Sequence, residues 1–487
     1  MTKYLDLSLN EINKLLKEKA IKPIDLVNEA YERLTSNKDL NCLITLNKEE
    51  AIARAIELEK MDVDNILFGI PIVLKDNIVT KNLRTTCASK MLDNFIPIYN
   101  ATVVDKLNEK KMIVIGKSNM DEFAMGSSNQ TSYYGPVLNP WDKTKVSGGS
   151  SGGSASAVSS RIVPFALGSD TGGSIRQPSA FTGIVGLKPT YGRVSRYGLI
   201  AFGSSLDQIG PMARNVYENA TLLNALVGLD DKDMTSVDLK PEDFTRLIGE
   251  DVKGMKIAIP NFYMNDAIDK EIREKVLSVI DMLKSKGVTF EYVDIDYVKY
   301  SIPLYQIIAL AEASSNLARF DGIRYGYRTS DFSNLDELYK KTRAEGFGDE
   351  VKRRIMIGSY VLSGDNVKTY YYKALKIRRA IHDSFTNILS KYDLVIGPTT
   401  TTFAYNLGEG QNDAVKSFFD DLLTIPVNMA GLPGMSLPIG FGQNGMPIGM
   451  QIIGSKYDEA VMYKLASFIE KELNLDLDTK GGKRWRN

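Results

Sequence analysis

The chain reads as an α/β protein built on a mixed, centrally buried β-sheet within one domain. Short apolar runs of strand length alternate with amphipathic stretches of helix length along most of it. Apolar residues make up 43% of the 487, ample for a large core. No repeat, low-complexity segment or long Pro/Gly linker divides the sequence.

Two helices open it. Ser8 and Glu11 form a capping-box pattern ahead of Leu9, Ile12, Leu15 and Leu16 at helical spacing. Pro23 suits the first turn of the second helix, where Val27, Ala30, Tyr31 and Leu34 share a face. Residues 68–77 then read as a buried strand ending near Lys75, 102–110 as a helix, and 112–118 as a strand running into a loop. Residues 161–174 form another apolar strand that runs into a glycine-rich turn. The alternation continues with strands at 255–260 and 288–295, and between them a helix carrying Ile272, Val276, Ile280 and Leu283 on one face. A strand at 392–398 and a hairpin turning around Asn444-Gly445 complete the series. Residues 210–330 are more charged and helical and read as a candidate lobe; 476–487 form a basic tail behind a domain spanning 4–475.

Composition excludes several chemistries. Lys plus Arg equal Asp plus Glu at 60 each, so no global field favours nucleic acid or an anionic membrane. Two cysteines, Cys42 and Cys87, fit neither a disulfide scaffold nor a CxxC metal pattern. The N-terminus lacks a signal-peptide pattern and no run approaches 18 apolar residues, so a cytoplasmic protein without a membrane span is expected. His382 is the single histidine, and its helical, amphipathic context reads as structural. A Ser-His-Asp triad or a multi-histidine zinc site would have to pass through it, so no metal site is expected.

Two glycine-serine segments remain, 147–157 and 168–178. Glycine allows left-handed backbone and close approach to a ligand, and a glycine-rich turn after a strand can aim several N–H groups at a phosphate or an oxyanion. The phosphate pattern fails, because Lys111 stands where a P-loop ending in Gly116-Lys117-Ser118 needs glycine. A nucleophile elbow fails too, since Arg176 stands two residues after Ser174. A flexible linker at 147–157 stays open on composition alone. A serine without histidine needs another base. A desolvated lysine serves if burial lowers its pKa by roughly 3 units from about 10.4, a cost of about 4 kcal/mol. Lys75, at the end of an apolar strand, is placed for this, although a solvated lysine is the commoner reading of that position.

Together, Lys75, the run Gly148–Ser154 and the run Gly168–Arg176 resemble the amidase signature family. The resemblance implies one α/β domain whose mixed sheet of about eleven strands lies between helical layers. It implies Ser174 as the acyl-forming nucleophile, Ser150 as a bridging serine after a cis peptide at Gly149, and Lys75 as the terminal base. The N–H groups of Thr171, Gly172, Gly173 and Ser174 look like its oxyanion hole. Asp170 and Arg176 read as structural, pinning the loop.

Residues 188–211, 345–363 and 421–434 resemble one branch of that family, the glutaminase subunits of tRNA-dependent amidotransferases. That likeness implies glutamine as substrate, recognised by Tyr305, Arg354 and Asp421, since a free amino acid needs a cation for its carboxylate and an anion for its ammonium. Without it, Arg354 in Lys352-Arg353-Arg354 and Asp421 in Phe419-Asp420-Asp421 read as solvated charges. It further implies a partner subunit, kinase and amidotransferase in one, that uses ATP and Mg2+ on Glu-tRNA(Gln), with a small third subunit; tRNA is contacted through the partner. No cofactor is expected in this chain. Ser147, where the branch usually has proline, and Gln130, in place of an acidic version of its segment, depart from the pattern. A stand-alone amidase on small amides and a non-catalytic scaffold are the other readings.

Overall fold

The computed structural model describes residues 3–409 and 419–479. Among them eleven strands form one sheet: β1 (Leu43–Leu46), β2 (Pro71–Lys75), β3 (Ile113–Ser118), β4 (Phe165–Asp170), β5 (Val185–Lys188), β6 (Gln208–Ala213), β7 (Lys256–Pro260), β8 (Thr289–Val293), β9 (Leu394–Pro398), β10 (Gly434–Phe441) and β11 (Pro447–Gly454). Their spatial order is β1-β3-β2-β4-β6-β5-β10-β11-β9-β7-β8. The sheet is mixed: β2 runs parallel to β3 and β4, β7 parallel to β8 and β9, and the remaining pairs are antiparallel.

Burial explains why the sequence reads as it does. Central strands such as β2 and β4 are buried at every position, so helices cover both faces and the strands appear as continuous apolar runs. The edge strand β8 instead mixes exposed and half-buried residues and has no fully buried position. The helix Leu9–Lys17 starts on the expected capping box, and Pro23 opens the helix Pro23–Ser36. Ile272, Val276, Ile280 and Leu283 are all buried on the helix Lys270–Ser285, which packs on β8, β9, β10 and β11.

One expectation changes and one gains detail. The segment 210–330 is tied into the common sheet, because β7 and β8 form its far edge. The β10–β11 hairpin turns around Asn444-Gly445 as expected, through a five-residue loop: pairing stops at Phe441–Pro447, and Gly442 N–H bonds to Met446 O at 3.0 Å. Gly445 takes the left-handed conformation there, φ 80°. Of the tail expected at 476–487, residues 480–487 lie outside the described residues. No helix among the described residues is long and apolar enough to cross a membrane.

Candidate active site

The site is built at the ends of two adjacent parallel strands. Lys75 ends β2, and the register Leu74–Leu167 brings it beside the end of β4 and the glycine-rich turn that follows. Its side chain is fully buried, and Nζ donates to Ser150 Oγ at 2.7 Å and to the Ser169 carbonyl at 3.1 Å. Burial lowers the Lys75 pKa to about 7, against the opposing pull of Asp121, Asp170 and Asp207. A fully buried, hydrogen-bonded amine replaces the solvated strand-end lysine that position suggests.

The linker reading of 147–157 fails. Every residue from Ser147 to Ala157 is buried, and Gly152–Ser159 is a helix. The Gly149–Ser150 peptide is cis. Gly149 is needed because a Cβ there would lie 2.0 Å from Asp121 Oδ2. Two polar side chains and one backbone group hold the turn. Gly149 N–H donates to Gln177 Oε1 at 3.0 Å, Gly152 N–H to Asn129 Oδ1 at 3.0 Å, and the Asp121 N–H to the Ser150 carbonyl at 3.3 Å.

The second loop hangs from a buried ion pair. Arg176 binds Asp170 with two bonds, Nη2–Oδ1 at 3.0 Å and Nε–Oδ2 at 3.1 Å, both side chains being fully buried. Arg176 also donates to Gln451 Oε1 at 2.7 Å, to Thr424 O at 3.0 Å and to Asn428 Oδ1, which anchors the loop to β11 and the helix Ile425–Ala430. Burial works to raise the Asp170 carboxyl, but Arg176 outweighs it and holds the pKa at about 2. This pinning role is the structural one expected for the pair. Asp170→Ala strands the Arg176 charge and is expected to cost about 3–5 kcal/mol in denaturant unfolding. Because its folded pKa lies below the unfolded value of about 3.9, the Asp170 contribution is complete above that pH and is lost as pH falls through about 2.

Between these anchors, none of the N–H groups of Thr171, Gly172, Gly173 and Ser174 meets an acceptor among the described residues. They form a run of free donors at one turn, suited to a developing oxyanion. Ser174 is 4% exposed, and its carbonyl accepts the Ser151 N–H at 3.2 Å. Its hydroxyl makes no hydrogen bond among the described residues, so the link from Ser150 to Ser174 is not formed in this conformation.

Two of the three expected recognition residues pack on this turn, and the third lies near them on another element. Tyr305, on the helix Ser301–Asn316, packs so closely that a Cβ on Gly172 would meet its ring at 2.9 Å. A Cβ on Gly173 would meet Asp421 Oδ1 and Thr424 Oγ1 at 2.3 Å. Arg354, on the helix Asp349–Leu362, lies 5.6 Å from the Phe202 ring and bonds Glu350 Oε1 at 2.7 Å. The solvated-charge reading of Arg354 and Asp421 is overturned: they are 3% and 7% exposed. Burial, with Asp420 and Asp170 nearby, pushes the Asp421 carboxyl well above the usual range, and Arg176 and Arg354 pull against it.

Asp121, Gln177, Thr424 and Asp207 also shape the site, and sequence reasoning missed all four. Thr424 Oγ1 donates to Gly172 O at 2.7 Å, and Asp207 Oδ1 accepts from Thr171 Oγ1 at 2.7 Å. Proximity to the glycine motifs marked only Gln177. His382 stays outside, half-buried on the helix Tyr372–Leu389 with Nδ1 3.0 Å from Asp383. Ser147 is buried with Oγ bonded to Gly148 O at 3.0 Å, and Gln130 Oε1 accepts the Gly408 N–H at 2.7 Å. No group of His, Cys, Asp or Glu among the described residues is arranged to hold a metal ion.

A mixed eleven-stranded sheet presenting a buried lysine–serine pair beside a glycine-rich serine loop defines an amidase architecture. The chain belongs to the amidase family, whose profile matches residues 25–462. It is 53% identical over 471 residues to the glutamyl-tRNA(Gln) amidotransferase A-subunit of Pediococcus pentosaceus, covering 96% of this chain and 97% of that one. It is 54% identical over 474 residues to the protein of the same name from Enterococcus faecalis, covering 97% of each. Among solved structures, the glutamyl-tRNA(Gln) amidotransferase A-subunit of Thermotoga maritima superposes with a TM-score of 0.81 at 41% identity, over 97% of this chain and 96% of that one.

Proposed function

We propose that the chain is the glutaminase subunit of a tRNA-dependent amidotransferase, with residues 4–475 acting as one catalytic domain. Ser174 Oγ attacks the side-chain amide carbon of glutamine. Its proton passes through Ser150 to Lys75, which a pKa of about 7 leaves substantially neutral from that pH upward, and then to the departing nitrogen, which leaves as ammonia. The N–H groups of Thr171, Gly172, Gly173 and Ser174 receive the oxyanion. Water then attacks the acyl-enzyme, releases glutamate and restores the Ser174 proton. Arg354 takes the substrate's α-carboxylate, and Asp421, with Tyr305 beside it, takes the ammonium.

The observation that carries this reading is a buried guanidinium and a buried carboxyl, Arg354 and Asp421, the carboxyl packed against the loop that presents Ser174. A stand-alone amidase for small amides has no use for that pair. Ammonia would pass to a partner subunit that activates Glu-tRNA(Gln) with ATP and Mg2+, held together with this chain by a small third subunit. Exposed Met356, Tyr360, Tyr370 and Tyr372, on neighbouring helical segments, offer apolar surface for such partners. Buried, unpaired Cys42 and Cys87 suit a reducing cytoplasm.

Ammonia release from L-glutamine, measured on the purified chain with and without partner subunits, tests the reading. Turnover of small amides in preference to glutamine in both settings would replace it with the stand-alone amidase. Arg354→Ala is expected to reduce kcat/KM for glutamine by about 10²-fold or more, the loss of a buried charge-assisted contact, and to spare a small acyl donor without a carboxylate. Arg354→Lys should recover only part of this, because a point charge does not replace the guanidinium fork. Equal losses on both substrates would remove Arg354 from the clamp.

A further inference from the structure

Asp207 lies outside the relay and the substrate clamp, yet it touches the oxyanion turn and a support of the clamp. The antiparallel register of β4 and β6 pairs Asp170 with Gln208, so the next residues outward, Thr171 and Asp207, meet where β4 ends and β6 begins. Asp207 is 3% exposed. Its Oδ1 accepts the Thr171 hydroxyl at 2.7 Å, on the first residue of the free N–H run. Both carboxylate oxygens accept the Gly203 N–H at 3.1 Å, and Oδ2 accepts the Phe202 N–H at 2.9 Å.

Phe202 is the floor of the clamp. Its ring lies 5.6 Å from the Arg354 guanidinium and 6.3 Å from the Tyr305 ring, edge-on to the latter. Asn316, on the same helix as Tyr305, donates to the Phe202 carbonyl at 3.0 Å. One carboxylate therefore holds the residue that begins the oxyanion donors and the backbone on which the recognition side chains rest. A carboxylate accepts the hydroxyl and both N–H groups at once through charge-assisted bonds. An asparagine could keep both N–H groups on its oxygen only by turning its NH2 toward Thr171, whose hydroxyl would then accept instead of donate, and the charge-assisted bond to Thr171 would be lost.

We infer that Asp207 is a positioning residue that couples the amino-acid clamp to the oxyanion donors through Thr171 and Phe202. This rests on the glutaminase reading for the identity of the clamped substrate. Engagement of the α-carboxylate by Arg354 steadies Phe202, and through Asp207 the turn at Thr171 is steadied in the orientation the oxyanion requires. The clamp then contributes to kcat as well as to KM.

The test uses the full chain, with its partner subunits where glutamine turnover needs them. Two acyl donors are compared: L-glutamine, and p-nitrophenyl butyrate, an ester with no amino-acid groups. Asp207→Asn and Thr171→Val should each lower kcat on both donors by about 10- to 100-fold, as expected when oxyanion donors are displaced rather than removed. KM for the ester should hold. Thr171→Ser, which keeps the hydroxyl, should recover most of what Thr171→Val loses. On glutamine, Asp207→Asn combined with Arg354→Ala should cost less in kcat than the product of the single losses. A kcat within about threefold of the unsubstituted protein for both Asp207→Asn and Thr171→Val, or single losses that multiply in the double variant, would overturn the coupling. If Asp207→Asn does not fold, Thr171→Val carries the same comparison, because valine keeps the shape and the N–H. If the unsubstituted protein does not turn over glutamine, the glutaminase reading falls, while the ester arm still decides whether Asp207 sets the donors.

Discussion

Ser174→Ala is expected to end ammonia release from glutamine while leaving the protein folded. The loss should be about 10³-fold or more, because the nucleophile acts as one unit with its base and only binding and the oxyanion donors remain. A hydroxyl on a surface loop would tolerate alanine for lack of contacts, but Ser174 is not placed on one. It is in fact 4% exposed, and the tolerance has a different origin: its hydroxyl bonds nothing among the described residues, so alanine leaves no partner unsatisfied. Thermal unfolding should therefore shift little. Retention of more than about a tenth of the rate by a folded Ser174→Ala protein would remove it as nucleophile.

Loss of the base should be comparably severe. Lys75→Ala is expected to lower kcat by about 10³-fold or more, and adding Ser150→Ala should scarcely worsen it, since the two pass one proton. In the unsubstituted protein, kcat/KM should rise with pH through an apparent pKa near the value of about 7 that burial imposes on Lys75, and then level off. His382→Gln should leave that profile in place, with the ring 3.0 Å from Asp383 on another surface. A profile abolished by the His382 substitution and untouched at Lys75 would reverse the assignment.

The same depressed pKa bears on stability. Between about 7 and about 10.4 the unfolded chain binds the lysine proton and the folded chain does not, so stability rises with pH across that window. Below it the destabilisation is complete, on the order of 4 kcal/mol. Lys75→Met, inactive, is accordingly expected to melt at a higher temperature than the unsubstituted protein at pH 6, with the gain shrinking toward pH 10.

Much of this architecture is legible in the chain because a buried strand carries its own signal. β2, β3, β4 and β9 are apolar runs in sequence and buried runs in the fold. The glycine-serine motifs announce the two loops, but not what separates them from a linker of the same composition. That difference is the approach of another chain segment, such as Asp121 within 2.0 Å of a Cβ on Gly149. Arg354 shows the limit of local reading. Lys352, Arg353 and Arg354 are consecutive cations, and only the last lies on the buried face, its side chain 4% exposed against 38% and 32%. Asp207 became visible only through the β4–β6 register, a pairing between residues far apart in sequence.

The place of β10 has a consequence for how the protein is made. β10 lies in the middle of the sheet, between β5 and β11, although it begins at residue 434 and β5 ends at residue 188. A chain emerging from the N-terminus can pair β1 to β6 early, but β5 then presents a bare row of backbone donors and acceptors until the late hairpin arrives. Such an edge is a template for the wrong partner, and Val185–Lys188 is short, which limits the exposure. The same late segments carry Thr424, Asn428 and Gln451, the acceptors that hold Arg176. A ribosome-bound fragment lacking them would hold the lysine and both serines without their anchor, so the capacity to cleave an amide emerges only as synthesis nears its end.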